Sequence, residues 1–99
     1  MFDFIFCWIP LGSIEYAPLG VQKECGGAGV MEGHAVRLRT APGRYRYAVV
    51  WTANGCVHGA NGARVCANRR EPMLDREAIE AVAGWTTRAK AQAEAEQAA

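Results

Sequence analysis

The residues of this chain most able to do chemistry are its arginines. Positions 33–70, here called the arginine-rich block, hold seven arginines and no Asp or Glu, although the net charge of the whole chain is only +1. Clustered guanidinium groups bind carboxylates and phosphates through paired hydrogen bonds and attract acidic surfaces from a distance. The block therefore predicts a docking surface for an acidic or phosphate-bearing partner. The alternative is a solvated sheet face whose polar residues happen to be Arg.

The four cysteines and two histidines are the other candidates. A zinc site could be built from Cys56, His58 and Cys66, or from Cys25 with His34, but the chain has no Cys-x-x-Cys or His-x-x-x-His spacing. A Cys–His pair could act as nucleophile and base, yet the arginine-rich block has no acid to orient the base. We therefore expect no enzyme, no cofactor and no metal, and keep a small zinc-stapled module as an alternative.

Length and composition indicate one soluble domain over residues 1–99, because the chain is 51% hydrophobic and 21% charged. No apolar run reaches the roughly 18 residues that a membrane span needs, so we expect no membrane partner. The apolar start lacks a basic region and carries Asp3, which is not typical of a signal peptide. We therefore expect a cytoplasmic protein with four reduced thiols.

Periodicity and turn residues predict the elements that position the arginines. Residues 1–9 alternate as a strand, residues 10–29 contain Pro and Gly turns typical of a loop, and residues 30–67 predict an antiparallel meander. One helix is predicted over residues 75–95, with Asp75 as its N-cap. The predicted fold is α+β, with a four- to five-stranded antiparallel sheet and one C-terminal helix packed on one face.

The Pro42-Gly43 turn predicts which side chains share a face of that sheet. A two-residue turn there sets Arg39 opposite Arg46 and Leu38 opposite Tyr47. The Tyr and Trp side chains then line the face that receives the helix, and arginines line the other face. The predicted partner-binding residues are Arg37, Arg39, Arg44, Arg46 and Arg64. Placing aromatic residues and arginines on opposite faces disfavours a platform on which single-stranded bases stack.

Two Asn-Gly dipeptides farther along the block predict two more tight hairpins. The first turn sets Trp51 opposite His58. The second sets Cys66 opposite Val57, with the Cys66 side chain pointing away from Cys56.

The run Arg44-Tyr-Arg-Tyr-Ala-Val-Val-Trp51, the Gly-rich hairpin after it and the run Leu74-Asp-Arg-Glu-Ala-Ile-Glu-Ala-Val-Ala-Gly-Trp85 resemble small phage and mobile-element proteins. In size and layout, over about residues 44–90, the chain resembles anti-CRISPR proteins that block type I surveillance complexes. The resemblance implies a stoichiometric inhibitor that docks on a larger protein or nucleoprotein complex. Family members that mimic DNA are strongly acidic, whereas this sheet is expected to be basic. The implied target is then an acidic protein patch or phosphates, and a direct nucleic-acid-binding protein using the same arginines is the alternative.

Overall fold

The computed structural model describes residues 8–24, 29–59, 62–66 and 76–98. These residues form an antiparallel sheet in which each strand pairs with the next one along the chain. Its strands are β1 (Ile9–Leu11), β2 (Ile14–Glu24), β3 (Val30–Ala41), β4 (Arg44–Ala53), β5 (Cys56–His58) and β6 (Arg64–Cys66). The helices are α1 (Arg76–Val82) and α2 (Arg88–Ala98). The α+β class and the antiparallel sheet with a C-terminal helix are confirmed, but these segments hold six strands and two helices, not four to five strands and one helix.

The segment 10–29, predicted to be a loop, instead contributes to β1 and β2. Gly12 has a φ of 64°, which a residue without Cβ adopts readily, and it allows a tight turn between the two strands. Pro10 lies in the short strand at the end of the described sheet, and Pro18 borders a bulge in β2. Pro is tolerated in strands at such places, so these residues did not mark a loop. Residues 1–7 and 25–28 lie outside the described residues.

The two helices pack on opposite faces of the sheet. Val36 and Val50 belong to one buried cluster, which Ile79 of α1 completes. Val49 belongs to a second cluster, which Ala91 of α2 completes. Since neighbouring residues of a strand point to opposite faces, α1 and α2 cover different sides. The prediction that a single face would be covered is therefore wrong.

The helix predicted over residues 75–95 is interrupted between α1 and α2, and Gly84 lies in the interruption. Gly costs about 1 kcal/mol relative to Ala inside a helix, so the break falls where the helix is intrinsically weak. α2 begins after Thr87, which acts as its N-cap: Thr87 Oγ1 accepts a hydrogen bond of 3.3 Å from the Lys90 N–H. Asp75, the predicted N-cap, is not among the described residues. Neither α1 nor α2 combines the length and hydrophobicity that a membrane-spanning helix requires.

The connection between the helices runs along the edge of β4. The Tyr47 N–H donates to the Thr86 carbonyl at 2.9 Å, and the Thr86 N–H donates back to the Tyr47 carbonyl at 2.8 Å. This antiparallel bridge lies on the part of β4 that β5 does not reach. It fixes the point at which the chain passes from the α1 face to the α2 face.

The register between β3 and β4 differs by one residue from the predicted register. Ala41 lies opposite Arg44, as a two-residue turn requires, but an irregularity follows and Arg39 lies opposite Tyr45. An extra residue in one strand turns all the side chains beyond it to the other face, relative to the partner strand. The predicted pairing of Arg39 with Arg46 is therefore wrong.

The strand registers predicted from the two Asn-Gly dipeptides have different outcomes. The pairing predicted from Asn54-Gly55 is confirmed, because Trp51 lies opposite His58. Between β5 and β6 the register differs by one residue from the one predicted, so Cys66 lies opposite Cys56 and not opposite its predicted partner. This brings the two cysteine side chains to the same face.

Candidate functional site

The five predicted arginines do not share one face. Arg37 and Arg39 lie on the face of the sheet that α2 covers, whereas Arg44 and Arg46 lie on the face that α1 covers. Arg64 is on β6, roughly 17 Å farther along the strand direction than Arg46. The predicted single arginine face is therefore corrected to two faces and a separate edge strand.

Arg37 is engaged within the fold. Its Nε lies 3.1 Å from Glu15 Oε1, and its Nη2 lies 3.3 Å from Glu15 Oε2, so the pair is held by two hydrogen bonds. The guanidinium carbon lies 4.4 Å from the ring centroid of Trp8 and 4.1 Å from that of Tyr45. Both contacts are cation–π interactions, which Arg makes readily because its guanidinium group is flat. Arg37 therefore packs between the rings of Trp8 and Tyr45, and Glu15 balances its charge.

Aromatic rings lie beside Arg37 on the same face. The ring centroids of Trp8 and Tyr47 are 6.2 Å apart, and those of Tyr45 and Tyr47 are 6.3 Å apart. All three rings are partly exposed, because α2 packs farther along β4, around Trp51. The aromatic–arginine patch is defined as Trp8, Arg37, Arg39, Tyr45 and Tyr47. The alternation of Tyr and Arg in β4 was visible in the sequence, but the bulge that joins these tyrosines to Arg37 and Arg39 was not.

The end of the β3–β4 hairpin carries three arginines whose charges are not paired within the described residues. Arg39, Arg44 and Arg46 are exposed, and their guanidinium groups make no ion pair or hydrogen bond with the described residues. Gly43 has a φ of 73°, which permits the tight turn between the strands. This basic hairpin, residues 39–46, extends about 10 Å beyond the last residue of β3 that pairs with β2. Three guanidinium groups around one turn can contact carboxylates or phosphates from both faces of the sheet.

A cleft of about 360 Å³ opens at the bulge of β2. It is lined partly by Gln22, Glu32 and His34. His34 is buried, and its Nδ1 has no hydrogen-bond partner among the described residues. Burial lowers the pKa of His34, while Glu32 acts in the opposite direction. The described lining has no Ser, Thr, Cys or Lys, so it does not place a nucleophile beside this imidazole.

The described cysteines and histidines that were predicted as possible zinc ligands do not form a zinc site, and Cys25 lies outside the described residues. Cys56 and Cys66 form a disulfide, so neither sulfur is a free thiolate, and the expectation of reduced thiols is wrong for this pair. His34 lies opposite Val50 and so points to the other face from His58. Across the described segments, no group of three or more His, Cys, Asp or Glu side chains is placed to hold a metal ion.

Comparison of the chain with protein-family models, with curated proteins and with solved structures gave no match. Its function therefore has to be argued from its own surface. Among the described residues, the basic hairpin carries exposed arginines without an ion pair, and the aromatic–arginine patch carries partly exposed rings.

Proposed function

We propose that this chain is a non-enzymatic binding protein that docks on a larger protein or nucleoprotein complex and blocks it, with the basic hairpin as its contact. The observation that supports this is the exposure of Arg39, Arg44 and Arg46 around one tight turn, without a carboxylate partner among the described residues. Like charges held together in this way repel each other. An acidic or phosphate-bearing partner removes that repulsion and gains paired hydrogen bonds.

The hairpin is suited to docking because the sheet holds its backbone in place. β3 pairs with β4 from Glu32 to the turn, so little chain entropy remains to be lost when a partner binds. Of the five arginines predicted to bind, the three in the hairpin are the contacts. Arg37 is not among these contacts because Glu15 balances its charge, and Arg64 is not among them because it lies on a distant strand.

The inhibitory part of the proposal rests on the resemblance of residues 44–90 to anti-CRISPR proteins. A small chain that covers a working surface blocks it by occupancy, which requires binding but no catalysis. Because the hairpin is basic, the surface covered is an acidic patch or a set of phosphates, and not a site that binds a DNA mimic.

Charge reversal at the hairpin tests the proposal. The double variant Arg44→Glu/Arg46→Glu is compared with wild type and with Arg64→Glu, which reverses an exposed arginine away from the hairpin. Affinity capture from the native host should give one stoichiometric complex with wild type and with Arg64→Glu, and should lose it with the double variant. Adding equimolar wild-type protein to the same partner complex, purified separately without this chain, should abolish the activity of that complex.

Two results would contradict the proposal. The first is equal capture of the complex by wild type and by the folded Arg44→Glu/Arg46→Glu variant. The second is a partner complex, purified without this chain, whose activity is unchanged by saturating wild-type protein. Thermal unfolding of each variant provides the check that the substitutions have left the fold intact.

A further inference from the structure

We infer that the aromatic–arginine patch binds single-stranded nucleic acid, with bases stacking on its partly exposed rings and phosphates held by Arg39 and the adjoining basic hairpin. The inference rests on the proposed function, because it identifies the phosphate-bearing component of the partner as an unpaired strand. The patch was defined above by its five residues on β3, β4 and the residue before β1.

The register of the sheet is what makes this possible. Arg39 lies opposite Tyr45, and Arg37 lies opposite Tyr47, so each of these arginines has an aromatic neighbour on the same face. Trp8 adds a third ring, 6.2 Å from Tyr47. Proteins that bind single strands combine rings on which bases stack with cations that follow the backbone. Both components are present on this one face.

The charge of the patch selects an anion. Glu15 lies beside the patch, and its carboxylate is paired with Arg37 through two hydrogen bonds. Arg39 remains exposed and unpaired among the described residues, and Arg44 and Arg46 lie around the same turn but on the other face of the sheet. The surface therefore attracts phosphate, and the attraction should weaken as salt rises.

The rings favour an unpaired strand over the other anionic partners. An acidic protein patch would satisfy the guanidinium groups but would make no specific use of the exposed aromatic surface of Trp8, Tyr45 and Tyr47. In a duplex the bases already stack on one another, so their faces are not available. A single strand offers phosphates and exposed base faces together.

The rings are also held before a ligand arrives. Arg37 lies between Trp8 and Tyr45 and is fixed by Glu15, which limits the rotation of both rings. A surface ordered in advance loses less entropy on binding than one that must order itself. Arg37 is thus a positioning residue for the patch.

The test is fluorescence anisotropy with labelled 15-nucleotide DNA and RNA of mixed sequence, each measured as a single strand, and with the same DNA as a duplex. We expect the single strands to bind about tenfold more tightly than the duplex at the same salt concentration, since each stacked base contributes a gain of about this size. Replacing Tyr45→Leu should weaken single-strand binding about fivefold or more and leave duplex binding nearly unchanged. Tyr45→Phe, which keeps the ring, should bind like wild type.

The inference is overturned if wild type binds duplex and single strand equally, or if a folded Tyr45→Leu variant binds single strands as wild type does. Arg39→Gln, at an exposed position, supplies a second variant that should weaken single-strand binding without disturbing the fold. If single strands do not bind but capture of the complex still depends on Arg44 and Arg46, this inference fails while the proposed function stands. If single strands bind but no complex is captured or blocked, the proposed function fails while this inference stands.

Discussion

Arg37 and Glu15 lie directly opposite each other on β3 and β2, and two hydrogen bonds join their side chains. The side chains are 19% and 32% exposed, so water screens the pair less than it screens a fully exposed pair. The same guanidinium group contacts Trp8 and Tyr45, which links the ion pair to the aromatic residues of the patch. Arg37, on β3, thus links β2 through Glu15, β4 through Tyr45 and the residue before β1 through Trp8.

This arrangement predicts that Arg37 and Glu15 are coupled in stability. Arg37→Gln and Glu15→Gln, alone and together, should show a coupling free energy of about 1 kcal/mol in urea unfolding. Arg37→Lys should also destabilise, by about 1 kcal/mol, because Lys keeps the charge but has neither the flat stacking surface nor the paired donors. Arg39→Lys is the matched control and should change the stability by less than about 0.5 kcal/mol. An Arg37→Lys variant as stable as wild type would show that the stacked geometry contributes nothing.

Reduction of the disulfide should destabilise the sheet edge. Cys56 and Cys66 are 10 residues apart, and opening a loop of this length costs about 2–3 kcal/mol through the entropy gained by the unfolded chain. Urea unfolding with and without dithiothreitol should show this loss for wild type. The Cys56→Ser/Cys66→Ser variant should have the lower stability of reduced wild type whether or not dithiothreitol is present. A wild-type protein whose unfolding is the same in both conditions, with the disulfide shown to be reduced by thiol titration, would contradict the prediction.

The sequence predicted the positions of the tight turns better than the strand pairing beyond them. Asn54-Gly55 set the β4–β5 register correctly, because Asn54, with a φ of 51°, and Gly55 both adopt the backbone that the tight turn requires. Pro42-Gly43 also marks a turn, but the irregularity between Arg39 and Ala41 leaves no signal in the residue types. A shift of one residue is invisible to composition, yet it decides which side chains share a face.

The helix prediction failed for a related reason. The apolar spacing of Ala78, Val82, Trp85 and Ala89 fits one continuous helix, and only Gly84 argued against it. The break is favoured by contacts distant in sequence, since the connection pairs with β4 through Thr86. The candidate surface was predicted in part: the arginines of the hairpin were named, but the aromatic rings were assigned to the opposite face.

Burial of His34 predicts a pH dependence of stability. Burial lowers its pKa in the folded state below the ordinary value of 6.5, so the unfolded chain binds more protons in the interval between the two values. The free energy of unfolding should therefore rise with pH up to about 6.5 and fall as the solution is acidified below it. Burial raises the pKa of Glu94, and this gives a slope of the opposite sign that begins near its ordinary value of 4.5.

Urea unfolding at several pH values between 5 and 8 measures this effect. His34→Gln should flatten the rise in stability with pH, and His58→Gln, which changes the other histidine, should keep it. If His34→Gln shows the same rise as wild type, the imidazole of His34 is not its source.

The bridge between Tyr47 and Thr86 predicts how the two helices are held to the sheet. Thr86→Pro removes the N–H that donates to the Tyr47 carbonyl, and it should lower the free energy of unfolding by about 1–3 kcal/mol. Thr86→Val keeps both backbone hydrogen bonds and a residue that suits extended backbone, so it should cost much less.

Amide hydrogen exchange measures which parts of the chain the bridge protects. Because the bridged segment leads the chain from the α1 face to the α2 face, losing it should speed amide exchange at Tyr47 and also along α2, while β2 and β3 keep their protection. A Thr86→Pro protein that exchanges like wild type in α2 would mean that the packing of Ala91 and Ala95 alone holds this helix on the sheet. Faster exchange confined to Tyr47 and α2 would instead show that the bridge at the edge of β4 also holds α2 on the sheet, in addition to the packing of Ala91 and Ala95.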